Sequence, residues 1–182
     1  MAGPVIACAI QIPCSHKLEL KDSKALSASR REQFSSILKN KGYGYAFGVV
    51  GSEEIDEINI LKASLKAMNL ALAGLKSLSE TILIDGNRLP QLIEIDKKVL
   101  QKINIQAVIK GDKKHREIQA AAILAKVYRD DLMSYLGQKY SNFSFDKHKG
   151  YPTQSHLHEL AKYGVIEGVH RKSFAPVKKH LG

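Results

Sequence analysis

Short apolar runs alternate along this chain with longer stretches in which apolar residues recur every three or four positions. Pro4 to Ile12 is rich in Val, Ile and Ala and reads as a strand. Lys21-Asp22-Ser23-Lys24 follows as a polar loop. Ser27 or Ser29 can cap the next helix, with Ser29-x-x-Glu32 a candidate capping box. Phe34, Ile37 and Leu38 supply its apolar face, and Gly42 and Gly44 end it. Tyr45 to Gly51 reads as a second strand. Ile58, Leu61, Leu65, Met68, Leu72 and Leu75 then predict a long amphipathic helix packed on a core, not a cofactor site. Thr81 to Ile84 is a β-branched strand that stops at Asp85-Gly86-Asn87. Asn104 to Ile109 is another, stopping at Lys110-Gly111-Asp112. Ile118 to Leu136 reads as a helix with Ile118, Ala122, Ala125, Val127, Leu132 and Leu136 mostly inward. Thr153 caps one more, and Gly164 lies past its end. No repeat, low-complexity stretch or linker interrupts the pattern. Strands alternating with helices imply an α/β sheet covered by helices.

Composition narrows the class. At 182 residues the chain fits one domain, with residues 1–138 forming sheet and helices and 139–182 a basic helical part. Hydrophobic residues at 44% and charged residues at 25% exclude global disorder. No apolar run reaches the roughly 18 residues of a membrane span. Met1 to Ile12 is apolar but follows no basic region, so it reads as a strand and not as a signal peptide. Cys8 and Cys14 are too few for a disulfide framework and form no CxxC pair, which points to a reducing cytoplasm.

Charge changes the picture more. Lysine and arginine number 28 against 18 acids, a net +10. From Lys139 onward eight Lys/Arg face three acids, a surplus of five, and five of the seven histidines lie there too. These charges are interleaved with Tyr140, Phe143, Phe145, Tyr151, Tyr163 and Phe174. That combination suits phosphate contact with base or sugar stacking; the alternative is a solvated basic surface.

Two acids carry candidate chemistry. Asp85 and Asp112 each follow a buried apolar strand and adjoin a glycine. Ligands in α/β sheets collect beyond the carboxyl ends of strands. Two such ends side by side would offer hard oxygen ligands to Mg²⁺ or Mn²⁺. The alternative is that both are ordinary turn residues, and two carboxylates are few for two ions. Glu117 could add a third, although an acid in the first turn of a helix is favoured there anyway. Asp130, beside Arg129, reads as structural.

These residues, taken in order, resemble the ribonuclease HII family, the prokaryotic type 2 ribonucleases H. The resemblance rests on Ala2-Gly3-Pro4-Val5, Asp22-Ser23-Lys24, Glu54 to Leu61, Ile84-Asp85-Gly86-Asn87 and Lys110-Gly111-Asp112. It continues through Ala120 to Val127 with Arg129-Asp130, His148 to Thr153, and His170-Arg171-Lys172-Ser173-Phe174. The resemblance implies a ribonuclease H-like mixed sheet flanked by helices, with a C-terminal helical extension. It implies Mg²⁺- or Mn²⁺-dependent endonuclease action on the RNA strand of RNA–DNA hybrids and at single ribonucleotides in DNA, by a cytoplasmic monomer. Asp85 and Asp112 match the third and fourth of four catalytic carboxylates, which are also the metal ligands. Tyr151 matches a tyrosine that stacks at the RNA–DNA junction and helps sense the 2′-hydroxyl. Lys149, Arg171 and Lys172 are candidate phosphate contacts.

The sequence departs from the family pattern at its start. The family's first two carboxylates lie in an Asp-Glu-x-Gly-Arg-Gly-Pro-Leu-Ala-Gly-Pro stretch, of which only the end is matched, at Met1-Ala2-Gly3-Pro4. That stretch belongs to a central strand between the Val5–Ile12 strand and the strand ending at Asp85. The expectation is therefore two sheet fragments, and impaired activity. An internal methionine with the protein beginning upstream is the favoured explanation over a decaying gene. Ala122, where the family usually has Ser, and Gln119 are smaller departures. The alternative to an enzyme is a non-catalytic basic nucleic-acid-binding remnant.

Overall fold

The structure, a computed structural model, describes residues 1–13, 15 and 26–181. Cys14 and the polar loop expected at 21–24 lie outside the described residues. In chain order the elements are β1 (Val5–Ile10), α1 (Ala28–Asn40), β2 (Tyr45–Val50), α2 (Ser52–Ala73), β3 (Thr81–Asp85) and α3 (Lys97–Leu100). They continue with β4 (Asn104–Val108), α4 (Gly111–Lys114), α5 (Arg116–Lys139), α6 (Phe145–His148), α7 (Gln154–Tyr163) and α8 (Ala175–Lys178). All four strands occur where the apolar runs place them. They pair two by two, β1 with β2 and β3 with β4, giving the two sheet fragments expected. β3 and β4 are parallel, in a register running from Thr81 opposite Asn104 to Asp85 opposite Val108.

The chain divides into two compact units. One comprises Ile6–Gly48 and Leu65–Val127. Here Cys8 and Ile10 of β1 pack with Leu38, Ala120 and Leu124. Ala9 packs instead with Met68, Leu72, Ile82 and Ile84. Alternate residues of a strand point to opposite faces, so α5 covers one face and α2 the other.

Helix α2 corrects the expected stripe. Met68, Leu72 and Leu75 pack on the core as expected, but Leu61 is exposed, and Ala63, Ala67 and Ala71 form a fully buried line beside them. The cause is Asn59, at φ 69° and ψ 162°, which breaks the helix. The Asn59 Oδ1 accepts the N–H groups of Leu61 and Lys62 (3.0 and 3.1 Å), capping the second segment. The break resets the helical phase, and alanines face the sheet. They do so because Gly48 of β2 lies against the α2 backbone: a Cβ at Gly48 would collide with the Ala67 carbonyl oxygen and sit 2.7 Å from the Ala71 nitrogen. In α1 the cap is Ser27, accepting from the Arg30 N–H at 3.3 Å, and not the Ser29 box. Leu38 of the expected apolar face is buried, but Ile37 turns outward, at 48% exposure.

The other unit comprises Met1–Val5, Val49–Ser64 and Tyr128–Gly182. Its core gathers Ala2, Met133, Phe143, Phe145 and Val169. Phe143 and Phe145 are therefore core residues, not stacking platforms. Thr153 caps α7 as expected, accepting from the His156 N–H at 3.2 Å. The first four residues are tied to the rest of this unit through an isolated antiparallel bridge between Ala2 and His170, with the chain bending at Gly3 (φ 78°). Gly3 N–H donates to Val169 C=O (2.8 Å) and Arg171 N–H to Met1 C=O (2.8 Å). The Arg171 side chain donates from Nε to Gly3 C=O at 2.9 Å.

Gly48→Ala should lower stability by about 1–3 kcal/mol, because the added methyl meets backbone and not a flexible side chain. Gly51→Ala, where nothing lies within 4 Å of the added Cβ, should change it far less. Urea unfolding of both variants checks this; equal effects would contradict the close approach.

Candidate active site

The parallel pairing of β3 and β4 brings their carboxyl ends together, as the sequence reading anticipated. Asp85 is the last residue of β3 and is exposed. Its Oδ1 accepts the N–H of Gly111 at 2.8 Å. Gly86 N–H donates to Val108 C=O at 3.0 Å, closing the end of the ladder. Lys110 is left-handed (φ 56°) and turns the chain from β4 into α4. A Cβ at Gly111 would meet the tip of the Ile118 side chain and lie 3.2 Å from the Asp85 Oδ1, so the approach is close. The next residue is Asp112, only 9% exposed. Asp85 thus bonds to the residue adjoining Asp112, and the two acids are neighbours.

The donor chemistry fits a hard divalent cation, since both side chains offer carboxylate oxygens. The number does not suffice: no group of three or more His, Cys, Asp or Glu able to hold a metal occurs among the described residues. Glu117 is an exposed first-turn acid of α5. Asp130 engages Lys149 through its backbone carbonyl, at 3.1 Å.

The sequence-predicted basic residues lie in the other unit, and they differ in availability. Tyr151 is 55% exposed, with the Arg129 guanidinium 5.3 Å from its ring centre. Lys172 is exposed and pairs with Glu167 at 2.6 Å. The Lys149 ammonium donates to Asp130 C=O and to the Ser134 hydroxyl (2.7 Å). Arg171 is 8% exposed, and burial followed by the Arg129 charge pushes it down to about 10, still a cation at neutral pH.

Sequence reasoning missed the group beneath Tyr151. His148, His156 and His170 are buried together, with His148 stacked on His156 at 4.0 Å. Their tautomers follow from their partners. Ile166 N–H donates to the His170 Nδ1 (2.9 Å), so His170 carries its proton on Nε2. That proton goes to the His156 Nε2 at 3.2 Å. His156 in turn donates from Nδ1 to Tyr151 C=O at 2.9 Å. His148 accepts Gly150 N–H on Nδ1 and donates from Nε2 to Glu159 at 2.9 Å. The backbone of Tyr151 is thereby fixed from below. No spacing in the sequence signals this, because the three rings meet only through tertiary contacts.

Residues 1–177 match the family described as Ribonuclease HII. The chain belongs to the ribonuclease HII family. The Ribonuclease HII of Vibrio campbellii (strain ATCC BAA-1116) is 45% identical over 183 residues, covering 100% of this chain and 82% of that protein. The crystal structure of the ribonuclease H2 from Pyrococcus horikoshii OT3 superposes with a TM-score of 0.66 at 25% identity, over 87% of this chain and 78% of that one. Bst-RNase HIII in complex with Mn²⁺ shares the fold, with a TM-score of 0.72 at 17% identity over 99% of this chain and 65% of that one. The ribonuclease HII family consists of divalent-metal-dependent endonucleases acting on RNA–DNA hybrids, so the enzyme class, cofactor type and fold anticipated from sequence hold. No helix among the described residues is long and apolar enough to cross a membrane.

The buried group has a pH signature. Burial first, then the neighbouring rings, push His156 and His170 down to about 4, although the backbone partners at Tyr151 and Ile166 oppose this. An unfolded histidine takes a proton near pH ~6.5. Between these limits the unfolded chain binds more protons, so stability falls as pH drops from about 6.5 to about 4. The Met1 amine, pushed down to about 5 by burial and by Arg171 and Arg129, acts in the same direction below about 8. For Glu159 burial works upward, but bonds from His148, Ser144 and Ser155 outweigh it and hold the acid near 2, which extends the loss below about 4.5. Urea midpoints should therefore decline steadily from pH 8 to 4; a flat profile would contradict the buried neutral rings.

Proposed function

We propose that Asp85 and Asp112 are the metal-binding catalytic carboxylates of a ribonuclease HII and that Tyr151 reads the RNA–DNA junction. The observation that carries this is the pairing of both acids at the carboxyl ends of adjacent parallel strands, joined through Gly111. A divalent ion held there supplies charge neutralisation at the scissile phosphate and an activated water. The chain's own part is to orient. Gly111 N–H fixes the Asp85 carboxylate. The exposed Tyr151 ring is held by its backbone and by Arg129, a rigid face for a sugar or base beside a 2′-hydroxyl. Lys172 offers its charge to a phosphate after exchanging Glu167. Lys149 and Arg171, whose donors already hold backbone oxygens, contribute positive field and the shape of the phosphate-binding loops. The substrate is an RNA–DNA hybrid or DNA containing ribonucleotides, and the protein acts as a cytoplasmic monomer.

Hydrolysis of a duplex carrying one ribonucleotide, with Mn²⁺, tests this. The protein should cut, and Asp85→Asn and Asp112→Asn should each lower the rate about 100-fold or more. Tyr151→Ala should reduce the preference for the ribonucleotide with a smaller loss of overall binding. A folded protein that does not cut overturns the reading. Metal-independent, steeply salt-sensitive binding without cleavage would mark a non-catalytic binder instead.

A further inference from the structure

Three donors of one C-terminal turn converge on a carboxylate that neither the acid pair nor the histidine group uses. Asp56 lies in the first segment of α2, ahead of the break at Asn59. Its Oδ2 accepts the Lys172 N–H at 2.6 Å. Its Oδ1 accepts the Ser173 N–H at 2.8 Å and the Ser173 hydroxyl at 2.6 Å. Four residues earlier, and so on the same helical face, the Ser52 hydroxyl donates to Gly168 C=O at 2.6 Å. The first segment of α2 therefore grips residues 168–173 at two points, within one compact unit. The backbone on either side is fixed as well. Arg171 N–H donates to Met1 C=O at 2.8 Å and Phe174 N–H to Arg171 C=O at 3.1 Å. The consecutive N–H groups of residues 171 to 174 thus all have acceptors, two of them on Asp56.

This bonding decides what the turn can offer to a substrate. With its hydroxyl hydrogen on Asp56, Ser173 has none left for a phosphate oxygen. Arg171 is buried and bonded to Gly3 C=O. Lys172, its side chain 42% exposed, is the cation that the turn presents. We propose that Asp56 is a positioning residue for substrate binding: it fixes the Lys172–Ser173 backbone so that the Lys172 ammonium meets a phosphate of the hybrid without the turn having to be ordered first. This rests on Lys172 as a phosphate contact, proposed above, and not on the metal site. A turn ordered only as the phosphate binds would weaken association; here folding has already ordered it. Charge alone predicts the opposite sign. Asp56 is one of three acids, with Glu167 and Glu53, whose fields act on Lys172, and removing an acid beside a cation favours a polyanion. An amide is an imperfect substitute, because both carboxylate oxygens accept backbone N–H groups and asparagine keeps only one of them.

The test is binding of an RNA–DNA hybrid, followed by fluorescence anisotropy over a salt series in EDTA, so that neither cleavage nor bound metal contributes. Lys172→Ala should weaken binding roughly tenfold and lower the slope of log K on log salt by about one. Asp56→Ala should do nearly the same although it removes a negative charge, and Asp56→Asn should fall between it and the parent protein. In the Lys172→Ala background Asp56→Ala should add little, because both act through one contact. Urea midpoints check that each variant is folded; if Asp56→Ala is not, Asp56→Asn and its combination with Lys172→Ala carry the comparison. Unchanged or tighter binding by the Asp56 variants, an unaltered salt slope, or full additivity with Lys172→Ala would each overturn the proposal. If Lys172→Ala itself binds as the parent does, the phosphate contact fails and the positioning role falls with it. Loss of cleavage in the Asp85 or Asp112 variants bears on neither.

Discussion

Among the described residues β3 is hydrogen-bonded along one edge only, the one facing β4, and much of the molecule's chemistry follows from that pairing. Its bonded edge fixes Asp85 opposite Val108, and Val108 leads within a few residues to Gly111 and Asp112. The acid pair is therefore a product of register: a slip of one residue would turn Asp85 to the other face and break its bond to Gly111. Its other edge bounds an apolar groove. An isolated two-stranded sheet is marginal by itself; here each pair survives because helices cover it, with α2 and α5 on opposite faces. The ladder that brings the two acids together and the edge that bounds the groove belong to the same strand.

In the unit that holds Tyr151, charge is spent mostly on backbone. Arg171 and Arg129 hold the carbonyls of residues 2 to 4, and Lys149 holds a carbonyl and hydroxyl of α5. Cations this close together are tolerable only if the groups beneath them stay neutral. Among the buried histidines, His156 and His170 do so by dividing donor and acceptor roles between them. The result is a fixed platform under an exposed tyrosine. The formal surplus of basic residues thus overstates the number of charges free to meet a phosphate.

The strands and the acid pair were legible because each strand is a short apolar run, β3 and β4 both end at a polar turn with glycine, and adjacency of β3 and β4 follows from α/β topology. The split sheet was legible through the family resemblance. The phase of α2 was not, since one asparagine inside an apolar stripe does not announce a break, and the small residues chosen by Gly48 look like filler. The Ser27 cap was one of two serines with equal local credentials, and tertiary packing chose between them. The histidine group was hidden because basic, histidine-rich sequence reads as surface. Phe143 and Phe145 misled in the same way: alternation with lysines suggested a stacking face, and both rings turned inward onto the histidines.

The claim on which the rest turns is the proposal that Asp85 and Asp112 together bind a divalent metal. Electron paramagnetic resonance of Mn²⁺ titrated into the protein measures it directly, without substrate. The account predicts saturable binding that Asp85→Asn or Asp112→Asn abolishes. Binding unchanged by both substitutions would contradict it.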